Sequence, residues 1–139
     1  MSTLVIAGTA LVAALSAATA IGAVLNRRSG VLRETGTDSE HDNSDLGLAS
    51  TGPTVVHFSA AWCGPCGAVR RVVDQVCADL GDVSHVEIDI DANPAAAKRL
   101  SVLSLPTTLI FDAEGRQRYR SAGVPKAGDL RALLQPLLA

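Results

Sequence analysis

The point where a buried strand gives way to a helix carries two cysteines, and no other stretch constrains this chain as strongly. Val55-Val56-His57-Phe58-Ser59-Ala60-Ala61-Trp62-Cys63-Gly64-Pro65-Cys66 begins with residues that suit a buried strand, after which Gly64 and Pro65 turn the chain. Apolar residues then recur at helical spacing from Gly67 to Leu80, which predicts both cysteines on the first turn of a helix. The unpaired N–H groups and positive dipole end of a helix favour a thiolate over a thiol at such a place. Cys63 is therefore the expected exposed nucleophile. Cys66, one turn further in, is expected to be shielded and able to attack a mixed disulfide formed on Cys63. A bare Cys-x-x-Cys pair also suits zinc, so the spacing alone leaves both chemistries open.

The flanking residues separate them. Trp62-Cys63-Gly64-Pro65-Cys66 resembles the active-site signature of the thioredoxin family, and Asn93-Pro94, Leu105-Pro106-Thr107 and Gly123 follow at family-like distances. The resemblance runs from about Thr54 to the C-terminus and leaves out the first third of the chain. It implies an α/β thioredoxin-like fold, a central mixed sheet flanked by helices. The implied activity is protein-disulfide reduction through a redox-active Cys63–Cys66 disulfide, without a metal or further cofactor. The implied partners are disulfide-containing proteins as substrates, and a thioredoxin reductase or a membrane thiol carrier as electron donor. Trp62, Gly64, Pro65, Leu105 and Pro106 become the substrate-binding residues. The resemblance also implies a cis Leu105–Pro106 bond, with backbone groups of residue 105 free to pair with an extended peptide. Two other classes stay in view: a peptide-binding or assembly module without turnover, and a zinc-binding Cys-x-x-Cys protein.

Two positions depart from the family pattern. Thioredoxins usually place a buried Asp six residues before the first cysteine, where this chain has His57. They usually place a Lys seven residues before the proline of Asn-Pro, where this chain has Glu87. An acid with a base has become a base with an acid, and His57 and Glu87 are expected to form a polar pair beneath Cys66. In that pair His57 accepts the Cys66 proton. His85 reads as a solvated strand residue, and Cys77 as a small hydrophobe packed on the helix.

Ahead of this domain, residues 3–25 contain no charge and are long enough for one transmembrane helix, which needs about 20 such residues. Ala18-Thr19-Ala20 resembles a cleavage site, but no basic region precedes the apolar run, so residues 1–26 read as an uncleaved anchor. Arg27, Arg28 and Arg33 follow it closely, and the positive-inside rule then makes the chain a single-pass membrane protein with its thioredoxin-like domain in the cytoplasm. Residues 27–52 read as a polar, flexible linker, with Val31-Leu32-Arg33 as a short edge strand at most. His41 beside Asp42 and Asp45 reads as solvated linker rather than as a metal site.

The domain proper is expected over residues 53–139, without a full counterpart of the family's first strand and helix. Val86, Ile88 and Ile90 alternate with His85, Glu87 and Asp89 as a second strand parallel to the first. Asn93 and Pro94 open a short helix, Leu105 to Phe111 forms a third strand, and Asp112 to Gly115 turns into a fourth. Leu130, Leu133, Leu134 and Leu137 make a closing helical stripe. A net charge of −2, with aromatics at 3%, supplies neither the basic surface nor the stacking platform that nucleic acid requires.

Overall fold

Alternation along two central strands decides where the core sits. In the computed structural model, which describes residues 2–36 and 42–139, strands β2 (Thr54–Ser59) and β4 (Thr107–Phe111) are buried along their whole length. They pair antiparallel, with Val55 opposite Ile110 and Val56 opposite Leu109. Successive side chains leave opposite faces of the sheet, so each strand feeds two cores. Val55 and Ile110 pack with Val69, Val73 and Val76 of helix α2 (Cys66–Leu80) and with Leu130 and Leu134 of helix α4 (Ala127–Leu134). On the other face Val56, Phe58, Leu109 and Phe111 meet Ala96 and Ala97 of helix α3 (Pro94–Arg99). Fully burying a side chain of the Val, Leu or Phe kind contributes about 1.5–3 kcal/mol, so these two layers carry most of the stability.

Strands β1 (Arg33–Glu34), β3 (Ser84–Asp89) and β5 (Gln117–Ala122) complete a five-stranded mixed sheet in the order β1-β5-β4-β2-β3. β3 runs parallel to β2, with α2 as the crossover between them. Gly81, at φ +83, ends α2 in a conformation that favours glycine, and its N–H bonds the carbonyl of Cys77. The turn at Asp112–Gly115 sends the chain back as β5, antiparallel to β4. No strand covers the outer edge of β3 among the described residues, in keeping with the missing first strand–helix unit.

Several local expectations need correction. The stretch 27–52 is not a free tether along its length. Arg33 and Glu34 pair with Arg120 and Tyr119, and Leu46, in the 3₁₀ turn Ser44–Leu46, is buried in the core beneath α3. Arg99 of α3 holds that turn through Asp45 at 2.6 Å. His41 lies outside the described residues. Asn93 makes no side-chain cap on α3; its amide instead donates to the carbonyl of Asp89. The closing leucine stripe spans two elements, because α4 gives way to a 3₁₀ turn at Gln135–Leu138.

Helix α1 (Ser2–Arg28) buries none of its residues against the domain. At 27 residues it is about 40 Å long, and it is apolar enough to cross a membrane, a test that a signal sequence also meets. The hydroxyls of Thr9, Ser16 and Thr19 donate to carbonyls one turn back, so these three polar side chains are satisfied within the helix. Beyond Arg28 the chain turns directly onto the domain. The N–H of Gly30 bonds the carbonyl of Ala122, and a Cβ on Gly123 would collide with Ser29 Oγ.

Candidate active site

β2 delivers the chain to the top of the sheet, where the N–H of Cys63 donates to the carbonyl of Ala60 at 3.0 Å and folds residues 60–63 into a tight turn. Helix α2 begins at Cys66, so Cys63 lies just ahead of the helix rather than on its first turn. The two cysteines are joined in a disulfide, with Cα atoms 5.6 Å apart. Their exposure differs in the way a two-step exchange needs. Cys63 is half-buried, whereas Cys66 is 2% exposed, with its sulfur 4.0 Å from the carbonyl of Phe58. Trp62 is 71% exposed over the site, and its indole N–H donates to Asp91.

The second wall is the loop before β4. Phe58 is the register partner of Thr107, which puts Leu105 and Pro106 beside the end of β2 from which the cysteine turn departs. The Leu105–Pro106 bond is cis, and the carbonyl of Pro106 accepts the N–H of Gly123 at 2.9 Å. Gly123 thereby joins the site's rim to the turn that follows α1.

Beneath the cysteines lies a row of polar residues on the α2 side of the sheet: Glu87, His57, Thr108 and Ser121 are register neighbours across four strands. His57 is fully buried, and its Nε2 lies 3.5 Å from Glu87 Oε1. The expected pair exists, but Glu87 has stronger partners. Arg70, one turn after Cys66, donates its Nε to Glu87 Oε2 at 2.7 Å, and Ser59 Oγ donates to Oε1 at 2.8 Å. Hydrogen bonding by Arg70, helped by Ser59, holds the Glu87 carboxyl down at about 2, against a smaller opposing effect of burial. Burial does the reverse to His57, pushing its imidazole from 6.5 down to about 4 and outweighing the attraction of Glu87. His57 is neutral at pH 7, and Glu87 is an anion neutralised by Arg70.

His85 is not a solvated residue. Its side chain is 13% exposed, its Nε2 sits 2.7 Å from His57 Nδ1, and its Nδ1 sits 2.7 Å from Asp74 Oδ1. The two rings stack with centroids 4.9 Å apart. The sequence holds a signal for this burial. Once His57 is opposite Glu87, a residue two places earlier on β3 must leave the same face of the sheet. Asp74 and Arg70 of α2 are the residues that reach down to β3. Cys77 is partly buried, and burial pushes its thiol up to about 11, as befits a packed residue rather than a reactive one.

A disulfide that bridges an accessible sulfur and a buried one at the start of a helix, on a mixed sheet of this order, defines a thiol–disulfide oxidoreductase of thioredoxin-like fold. The thioredoxin family model matches residues 36–136, and its start inside the supposed tether agrees with the packing of Leu46. The chain is 40% identical to a thioredoxin of Mycolicibacterium smegmatis over 94 residues, 65% of this chain and 83% of that protein. It is 37% identical to a thioredoxin of Chlamydia muridarum, covering 67% of this chain and 89% of that one. Among solved structures, oxidised thioredoxin O2 from Arabidopsis thaliana superposes with a TM-score of 0.56 at 31% identity, covering 70% of this chain and 86% of the other. This chain belongs to the thioredoxin family.

Proposed function

We propose that the protein is a membrane-tethered reductase of protein disulfides, working through the Cys63-Gly64-Pro65-Cys66 dithiol. The observation that carries this reading is the unequal burial of two bonded sulfurs at the N-terminus of α2. In the reduced protein the Cys63 thiolate, favoured by the helix terminus, attacks a substrate disulfide. A Cys63–substrate bond forms, the substrate S–S bond breaks, and one substrate sulfur leaves as thiolate. Cys66 then gives its proton to His57 Nε2 and attacks Cys63 Sγ. The Cys63–Cys66 bond forms, the mixed disulfide breaks, and the second substrate sulfur leaves, so two electrons have passed to the substrate.

His57 suits the base role better than Glu87 does. The carboxylate, held at about 2 by Arg70, is the weaker base by roughly two pH units, and the thiolate formed beside the ring favours imidazolium further. Trp62, Gly64, Pro65, Leu105 and Pro106 form the surface on which the substrate peptide lies. Helix α1 anchors the domain. Arg27 and Arg28 in its last turn support a cytoplasmic domain, with a thioredoxin reductase as the donor that restores the dithiol; a domain on the other face would draw on a membrane thiol carrier. Because Ser29 and Gly30 lie against Ala122 and Gly123, and Gly123 bonds the carbonyl of Pro106, the chain that leaves the anchor adjoins the rim of the site, which suits substrates at the membrane surface.

Reduction of insulin by the full chain tests the reading. The wild type turns over with a reductant, while Cys63→Ser and Cys66→Ser abolish turnover. Activity surviving both changes refutes it. Alkylation of a Gly36→Cys variant in intact cells decides the topology: labelling by a membrane-impermeant reagent refutes the cytoplasmic assignment.

A further inference from the structure

An imidazole can act as a base only through the nitrogen that carries a lone pair, and its neighbours decide which nitrogen that is. Around His57 they decide it step by step. A carboxylate only accepts hydrogen bonds, so the 2.7 Å contact between Asp74 Oδ1 and His85 Nδ1 puts the hydrogen on His85 Nδ1. In a neutral His85 the lone pair then falls on Nε2. That nitrogen lies 2.7 Å from His57 Nδ1, which must therefore be the donor. The lone pair of His57 falls on Nε2, a buried atom without a hydrogen-bond partner among the described residues.

The two ring nitrogens face opposite ends of α2. Nδ1 looks toward His85 and Asp74, two turns beyond Cys66, whereas Nε2 looks toward Glu87, which is tied to Ser59 and to Arg70, one turn from Cys66. A network built only to satisfy buried polar groups would close on this last nitrogen. This one stops one atom short, at the end where Cys66 enters the helix.

We propose that Asp74 and His85 are positioning residues that hold His57 in its Nδ1–H tautomer, so that Nε2 is the nitrogen that takes the Cys66 proton. The inference rests on the reading of His57 as the base of the resolving step. In that step the Cys66 S–H bond breaks, an Nε2–H bond forms, and the freed sulfur electron pair makes the Cys63–Cys66 bond. The proton stays on His57, between the Glu87 carboxylate and the His85 acceptor. When the disulfide is next reduced, the Cys66 thiolate takes it back. The charged and titratable groups that face His57 are Glu87 and His85 from β3 and Arg70 and Asp74 from α2; its β4 neighbour, Thr108, does not titrate.

The test uses the reduced full chain in non-ionic micelles, with ¹⁵N-labelled histidine and a Cys77→Ala background. Long-range ¹H–¹⁵N correlation spectra read the tautomer of His57 directly. Nδ1–H is expected in the otherwise unsubstituted chain, and a mixture in Asp74→Ala. An Nε2–H tautomer, or one that Asp74→Ala leaves unmoved, overturns the proposal. Resolution is followed as the second phase of thionitrobenzoate release in stopped flow, between pH 4 and 8. Asp74→Ala is expected to slow it roughly tenfold, within the range a positioned base supplies, and to move its acid limb to lower pH. Asp74→Asn, whose amide oxygen still accepts from His85 Nδ1, restores most of the rate. Equal losses in the two variants overturn the positioning role. Asp74 is 59% exposed, so neither change empties the core. His57→Gln separates the two readings: if the tautomer is as assigned and resolution is unchanged in His57→Gln, the base reading has failed and the catalytic half of the proposal goes with it.

Discussion

Lowering the pH from 7 to 4 should destabilise this protein chiefly through His57. In the folded chain its imidazole is fully buried and stays neutral down to about 4, against 6.5 in an unfolded chain. Between those values the unfolded state binds a proton that the folded state does not. His57 therefore contributes stability that is whole above pH 6.5 and is lost as the pH falls toward 4. At about 1.4 kcal/mol per pH unit, the loss comes to roughly 3 kcal/mol, a large part of the total for a domain of this size. Urea unfolding of the oxidised full chain in non-ionic micelles, read by pulse proteolysis at pH 7, 6, 5 and 4.5, measures it. The control is His57→Leu, which removes the titrating ring and keeps comparable volume. Its absolute stability can differ, so the slope against pH is the quantity compared. Carboxylates titrating in both proteins cancel in that comparison, and Glu87, held at about 2, gives up its contribution only at lower pH. The wild-type slope should exceed the control's by up to about 1.4 kcal/mol per pH unit between pH 6.5 and 4.5. Parallel slopes, or a wild type that gains stability on acidification, would show that the buried imidazole is not held neutral.

Leu46→Ala should cost about 2–4 kcal/mol in the same urea assay, the penalty for emptying a core position; a change under about 0.5 kcal/mol would restore the free-tether reading of residues 27–52. Gly123→Ala should cost about 1–3 kcal/mol and lower the Tm, because φ is +94 there and a Cβ has no room beside Ser29; an unchanged Tm would mean that the turn after α1 is not seated on the domain. Cys77, with its thiol pushed to about 11, should react with iodoacetamide at pH 8 about a thousandfold more slowly than when ionised, and labelling at the rate of an ordinary thiol would refute its packing.

Most of the fold was legible because it depends on local patterns. Val55 to Phe58 followed by Cys-Gly-Pro-Cys could only be a buried strand running into a helix. Gly81 marked the end of that helix, and the alternation of Val86 and Ile88 marked the parallel strand beyond it. What escaped depends on partners distant in sequence. Leu46 stands alone between Asp45 and Gly47 with no periodicity to mark it, and its burial comes from the sheet and from α3, the latter more than 40 residues away. His85 looked like the outward member of an alternating strand. Which face counts as outward was set by the pairing with β2, where β3 packs one side under α2 as well.

The same pairing explains why a histidine can replace an acid beneath the cysteines. An anionic base that takes the proton becomes neutral and leaves the thiolate as an uncompensated charge, whereas a neutral base becomes the thiolate's counter-ion. Before transfer, the proposed site holds neutral His57, neutral Cys66, and Glu87 balanced by Arg70. After transfer, imidazolium balances thiolate and the Glu87–Arg70 pair is unchanged, so no net charge appears in the buried space at any point. Arg70 is the condition for this. Without its hydrogen bonds, Glu87 would place an uncompensated negative charge beside the ring, raising the His57 affinity for protons and weakening the thiolate at once. The proton would then be bound more tightly by the base, while the sulfur that must attack became harder to ionise.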